Sequence, residues 1–172
     1  MMMKPALFLD RDNTLTYDKG YCHKVDEFQW MQGASDALRL VHQAGVPVFI
    51  ITNQGGIARG YFTLDDMHAF HTHLCEQAQK AGGFITDIAY CPHHPKALDE
   101  AMRTCSCRKP EIGLFTSLAA KWQIDLKQSV MIGDRSSDVI AGRTAGCHSY
   151  LYDTNTSLAD LAQQVLLTHF KG

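Results

Sequence analysis

Short apolar runs alternate along this chain with segments whose apolar residues recur at helical spacing. Pro5–Leu9 is an apolar run ending at Asp10 and reads as a buried strand. From Gly33 to Ala44, residues Ala34, Ala37, Leu38 and Val41 fall on one helical face, and Gly45 follows as a stop. Val46–Ile51 is β-branched and apolar, a second strand, with Pro47 tolerable near its start. Leu64–Lys80 reads as a helix entered from Thr63 as N-cap, with Asp66 three residues on as in a capping box. Phe84–Tyr90 reads as a third strand, and residues 91–110, with cysteines, histidines, prolines and no period, read as a loop. The rest predicts a helix over Ile112–Trp122, a strand over Ser129–Ile132 running into Gly133-Asp134, and a helix over Ser136–Thr144 stopping near Gly146. A last strand over Cys147–Leu151 and a last helix over Leu158–His169 complete the pattern.

This alternation predicts an α/β fold: a Rossmann-like parallel sheet with helices on both faces. In such sheets ligands bind outside the carboxyl ends of the strands. The residues to examine are therefore Asp10-Arg11-Asp12, Thr52-Asn53, Cys91 and Gly133-Asp134. The 172 residues are 45% hydrophobic, enough to bury a core, and show no repeat, linker or low-complexity segment. A single domain over 1–172 is expected.

Charge narrows the partners. A net charge of -2 and a pI near 6.5 give no basic face for nucleic acid. No run is long and apolar enough to span a membrane, and Met1–Pro5 lacks the features of a signal peptide. A cytoplasmic monomer is expected, acting on a small molecule, with no nucleic-acid or membrane partner. In a reducing cytoplasm six cysteines argue against disulfides. Cys91, Cys105 and Cys107 cluster with His93 and His94, which points to a metal. Cys22, Cys75 and Cys147 are scattered, which points to packing.

Asp10 and Asp12 follow the first strand, with Asn13 and Thr14 behind them. Set beside Asp134 at the sheet edge, they form an oxygen-rich, negatively charged pocket that suits magnesium. One carboxylate could attack a phosphate monoester, and a second could protonate the leaving oxygen and then activate water. Thr52 and Asn53 could hold phosphate oxygens, and Lys109 could supply positive charge. Asp-Arg-Asp alone would be an ordinary solvated loop. Its combination with Thr52-Asn53, Lys109 and Gly133-Asp134…Asp138, in that order, carries the argument.

Cys91-Pro92-His93 and Cys105-Ser106-Cys107 form two close pairs of soft or borderline ligands, which suit tetrahedral zinc. His94 is the alternative to His93. With all four positions filled, such a zinc is structural, and it fixes a loop leading directly into Arg108-Lys109. His68, His71 and His73 are expected on the solvated face of their helix, and Trp30 and Trp122 in packing. Tyr21 is the aromatic expected to touch substrate.

Asp10-Arg11-Asp12-Asn13-Thr14, Thr52, Lys109 and Gly133-Asp134…Asp138 resemble the four motifs of the haloacid dehalogenase superfamily. The resemblance implies Asp10 as nucleophile and Asp12 as acid/base that also offers its backbone carbonyl to magnesium. It makes Asp134 a magnesium ligand and gives Asp138 a supporting place outside the metal's first shell. Asn13 stands where glycine is usual, and Asn tolerates a left-handed backbone well. Tyr90-Cys-Pro-His-His-Pro95 and Cys105-Ser-Cys-Arg-Lys-Pro110 resemble the superfamily's zinc-bearing branch, which holds heptose-bisphosphate and histidinol-phosphate phosphatases. Asp18-Lys-Gly-Tyr-Cys-His23 and Thr52-Asn-Gln-Gly-Gly-Ile-Ala-Arg-Gly60 resemble segments of the heptose enzymes, with Gly55 where those carry serine. The resemblance implies substrate contacts at Asp18, Lys19, Gly20, Tyr21, Thr52, Asn53, Gln54, Gly55, Arg108, Lys109 and Arg135. Arg108 and Arg135 suit a second, distal phosphate. It also implies a capless site, with selectivity in loops 13–28, 54–63 and 91–109.

Overall fold

A computed structural model describes residues 2–171. Five strands form one parallel sheet: β1 (Leu7–Leu9), β2 (Val48–Asn53), β3 (Asp87–Cys91), β4 (Val130–Gly133) and β5 (His148–Leu151), in the order β3-β2-β1-β4-β5. The helices between them are α1 (Ala34–Gln43), α2 (Leu64–Lys80), α3 (Gly113–Trp122), α4 (Ser136–Ala145) and α5 (Leu158–His169).

The central strand β1 pairs with β2 on one side and β4 on the other, Phe8 opposite Phe49 and Met131. All three of its residues are buried, as a strand covered on both faces requires. Alternate side chains go to two cores. Leu7, Leu9, Val48, Ile50, Val130 and Ile132 pack beneath α1, α2 and α5. Phe8, Phe49, Ile51 and Met131 pack against α3 and α4 through Phe115, Leu118 and Ala141.

Local signals account for the helix bounds. Thr63 accepts from the Asp66 N–H while Asp66 accepts from the Thr63 N–H, the capping box that opens α2. α4 ends at Gly146 in the left-handed conformation.

Two strands are displaced from their expected positions. β2 begins at Val48, not Val46: the Val46 N–H bonds back to the Val41 carbonyl at the end of α1, and Pro47 offers only its carbonyl, which accepts from the Leu7 N–H. At its other end β2 runs through Thr52 and Asn53, which pair with Tyr90 and Cys91, so those residues lie within the strand. β3 starts at Asp87, where pairing to Phe49 begins, rather than at Phe84. The loop after it contains a short 3-10 turn over Glu100–Met102. Among the described residues, no helix is long and apolar enough to cross a membrane.

Candidate active site

The chain reverses its direction of winding between β1 and β4, and a cavity of about 530 Å³ opens there, at the carboxyl ends of the strands. It is lined by Asp10, Asp12 and Lys109, by Asp18, Gly20 and Tyr21, and by Asn53, Gln54 and Gly55. Arg108, Arg135 and Asp138 complete its charged wall.

Lys109 is the centre of the site. Its ammonium donates to Asp10 Oδ1 at 2.8 Å, Asp138 Oδ1 at 2.6 Å and the Ile51 carbonyl at 2.8 Å, which uses all three of its protons. Burial disfavours its charge, but Asp10 and Asp138 outweigh burial and hold its pKa above the ordinary lysine value. Its backbone is clamped as well. The Lys109 N–H donates to Asn53 Oδ1 at 3.0 Å, and Asn53 Nδ2 donates to the Lys109 carbonyl at 3.2 Å. Asp138 reaches Lys109 from the first turn of α4 and also accepts from the Arg135 N–H. The close approach needs Gly133, where a Cβ would lie 2.4 Å from Asp138.

Carboxylate oxygens of Asp10, Asp134 and Asp138 lie within 4.8 Å of one another. Burial, then Asp10 and Asp138, push the Asp134 carboxyl up to about 7. A crowded carboxylate that resists ionisation is what a bound divalent cation relieves, and oxygen donors fit a hard ion such as magnesium. The Asp12 carboxylate is turned away from this group. Its Oδ1 accepts from Arg11 Nε at 2.9 Å, and its Oδ2 from Gln54 Nε2 at 3.1 Å. Burial raises its pKa against the opposing pull of Arg11, which suits a group that must carry a proton. Asn13 has φ 58°, the left-handed backbone expected for it, and its side chain accepts from the Asp18 N–H.

Over 151 residues the chain is 40% identical to the D-glycero-beta-D-manno-heptose-1,7-bisphosphate 7-phosphatase of Rhodopseudomonas palustris, an alignment covering 87% of this chain and 84% of that one. The chain belongs to this family. The HAD-hydrolase-like family model matches residues 106–169. A D-glycero-alpha-D-manno-heptose-1,7-bisphosphate 7-phosphatase from Photorhabdus laumondii is 32% identical, covering 94% of this chain and 90% of that one. The solved D,D-heptose 1,7-bisphosphate phosphatase of B. bronchiseptica, complexed with magnesium and phosphate, superposes with a TM-score of 0.82. It is 30% identical, with 96% of this chain and 99% of that one covered.

Within this haloacid dehalogenase-like frame, the second cluster adjoins the cleft. Cys91, at the end of β3, meets His93, Cys105 and Cys107, with ligand atoms within 4.8 Å of one another. Cys91 Sγ is 3.6 Å from Cys105 Sγ and 3.5 Å from His93 Nδ1. Tetrahedral zinc with bonds of about 2.3 Å to sulfur spaces sulfurs about 3.8 Å apart. The Cys91–Cys105 pair meets that spacing, Cys107 Sγ lies closer to Cys91 at 2.8 Å, and the donor set of three thiols and one imidazole suits zinc. Burial and the neighbouring Cys107 and Cys105 thiols push the Cys91 thiol far up. Arg108 is tied to this loop, its N–H 3.4 Å from Cys105 Sγ and its Nη1 donating to the His93 carbonyl at 3.2 Å.

Other expected site residues differ in placement. His94 is absent from the cluster. It accepts from the Lys96 N–H and lines the cleft over Gly55. A Cβ at Gly55 would lie 2.8 Å from His94 and 2.9 Å from Arg108, which explains glycine where the resembling segment has serine. Thr52 is fully buried, accepts from Gln54 Nε2 and, like Lys19, lies outside the cleft lining. Asp18 accepts from the Gly20 and Cys22 N–H groups, shaping the turn that carries Tyr21. The Tyr21 hydroxyl receives a hydrogen bond from Arg59 at 2.6 Å.

His71 contradicts its expected solvated position. It is buried against Arg11, because α2 turns Met67, Phe70, His71 and Leu74 inward together. Sequence reasoning also assigned no role to Arg11, which is 1% exposed, or to Ser137 at the cleft wall. The one available signal for Arg11 was its place between two aspartates.

Proposed function

We propose that this protein removes the 7-phosphate of a D-glycero-D-manno-heptose 1,7-bisphosphate, as one domain, with magnesium at the acidic cluster and a structural zinc at the cysteines. The observation that carries this reading is the Lys109 ammonium held between Asp10 and Asp138 at the cleft floor. The names and extent of the relatives support the substrate class.

Asp10 is the nucleophile. Lys109 occupies its Oδ1, which leaves Oδ2 to attack phosphorus. The bond from phosphorus to the sugar oxygen breaks, and Asp12 gives that oxygen a proton. Water then attacks the aspartyl-phosphate, Asp12 takes the water's proton, and free phosphate leaves with Asp10 restored. Magnesium held by Asp10, Asp134 and the Asp12 carbonyl would offset repulsion between the carboxylate and the phosphate. Asp138 and Asn53 act on Lys109, one on its ammonium and the other on its backbone. Asp18, Gly20, Tyr21, Asn53, Gln54 and Gly55 form the near wall for the sugar, and Thr52 acts from behind it by accepting from Gln54 Nε2. Arg108 and Arg135 receive the distal phosphate with planar guanidinium groups.

The test is phosphate release, with magnesium, from both anomers of heptose 1,7-bisphosphate and from histidinol phosphate. Preference for a heptose substrate by tenfold or more in kcat/KM is expected, roughly what one well-placed charged contact supplies. Equal or greater turnover of histidinol phosphate would overturn the substrate assignment.

A further inference from the structure

His71 is a buried imidazole with no place in the mechanism above. It sits on α2, which contributes no residue to the cleft lining, yet it touches the site through Arg11. The Arg11 guanidinium lies in a closed set of partners. Nε donates to Asp12 Oδ1 at 2.9 Å, and Nη2 lies 2.7 Å from the same oxygen. Nη2 also donates to the Cys22 carbonyl at 2.7 Å. Nη1 lies 3.1 Å from His71 Nε2, and the guanidinium plane rests on the Phe70 ring at 4.6 Å. Consecutive residues of α2 therefore hold Arg11 from two sides, by its face and by its edge.

Arginine can only donate. The contact therefore requires His71 Nε2 to accept, which places its proton on Nδ1 and makes the ring neutral. A protonated ring would set donor against donor and cation against cation in a buried site. A neutral acceptor fixes Nη1 without taking any of the guanidinium's charge, so that charge stays directed at Asp12. Asp12 is then held at both oxygens, by Arg11 at Oδ1 and Gln54 at Oδ2.

We propose that His71 is a positioning residue: through Arg11 it holds the Asp12 carboxyl in the orientation needed to protonate the leaving oxygen. This rests on the reading of Asp12 as general acid. Without an acceptor at position 71, Nη1 is left unpaired inside the protein. The guanidinium then shifts toward another acceptor and draws Asp12 Oδ1 with it.

The test uses two leaving groups in one enzyme preparation. A sugar alkoxide needs a proton to depart, whereas p-nitrophenolate leaves as a stable anion. The quantity measured is kcat/KM, which reports the steps up to departure of the leaving group and omits hydrolysis of the aspartyl-phosphate. His71→Leu should lower kcat/KM for heptose 1,7-bisphosphate about tenfold, part of the 10²–10⁴ that acid–base catalysis supplies. Its value for p-nitrophenyl phosphate should stay within about twofold. His71→Gln, whose amide oxygen can accept from Arg11, should restore most of the loss. The ratio between substrates does not depend on how much of a preparation is folded, and His71→Met serves if the leucine variant does not fold. Equal losses on both substrates, or none on either, would overturn the proposal. Asp12→Asn, run alongside, separates the two readings. If it too fails to discriminate between leaving groups, the acid role of Asp12 falls and this inference with it. If Asp12→Asn discriminates and His71→Leu does not, the inference about His71 falls alone.

Discussion

The acidic cluster and the cysteine cluster lie side by side at the edge of one sheet, but they balance charge differently. Asp10 and Asp138 close on the Lys109 ammonium, a cation belonging to the protein itself. The thiols of Cys91, Cys105 and Cys107 have only weak polar partners nearby, such as the Arg108 N–H, and one another. Loss of an ion should therefore have different consequences at the two places. The acidic cluster stays assembled around Lys109 and loses chemistry. On the proposed zinc reading, the cysteine cluster would lose the metal bonds that define its loop, and with them the placement of Arg108 and Lys109.

The largest effect that would break this comparison is on the acidic side. Asp10→Asn should lower phosphate release by about 10⁴-fold or more while the circular dichroism spectrum stays that of the folded protein. Residual turnover near wild type would remove Asp10 as nucleophile. Cys107→Ser sharpens the contrast. It should lower the thermal midpoint by roughly 5–10 °C and turnover by about tenfold. Omitting magnesium from the wild type should stop turnover with a smaller shift in midpoint. Equal shifts in the two experiments would show that both ions act on stability alike.

The smallest effect lies behind the acidic cluster. Burial, then the Arg11 charge, depress the His71 pKa from 6.5 to about 3. Between those values the unfolded chain binds a proton that the folded chain refuses. This contribution is therefore fully present above pH 6.5 and is lost as pH falls toward 3, by at most about 1.4 kcal/mol per pH unit. In urea denaturation at pH 7 and pH 5, wild type should lose about 1–2 kcal/mol more than His71→Gln does. An identical pH response would show that His71 is not held neutral.

The two clusters were also unequally legible. Cys91-Pro92-His93 and Cys105-Ser106-Cys107 could be read as ligand pairs because their members are neighbours in sequence, and the structure brings those four together. His93 was the expected histidine, with His94 as the alternative; both lie just past the end of β3, and of the two it is His93 whose Nδ1 meets the sulfurs. On the acidic side, Asp10 and Asp134 were legible because each follows an apolar strand. The double clamp of Asn53 on Lys109 was not, since nothing local links positions separated by a whole βαβ unit. His71 was misread because its polarity was weighed above its position: it lies four residues after Met67 and three before Leu74, on the apolar face of α2. Its inward face is set by the partner that Arg11 supplies.

By itself the sequence determined the order of strands and helices, the capped start of α2 at Thr63 and the left-handed turn at Asn13. It also determined the two sets of metal-binding residue types. These follow from periodicity, turn chemistry and donor type, all of which act over a few residues. Only the tertiary structure decided that β1 lies between β2 and β4, so that Asp10 and Asp138 share the Lys109 ammonium. It alone decided that His94 packs over Gly55 and that α2 closes on Arg11. These contacts join residues far apart in the chain, and their energy comes from burial and charge pairing that exist only once the sheet is assembled.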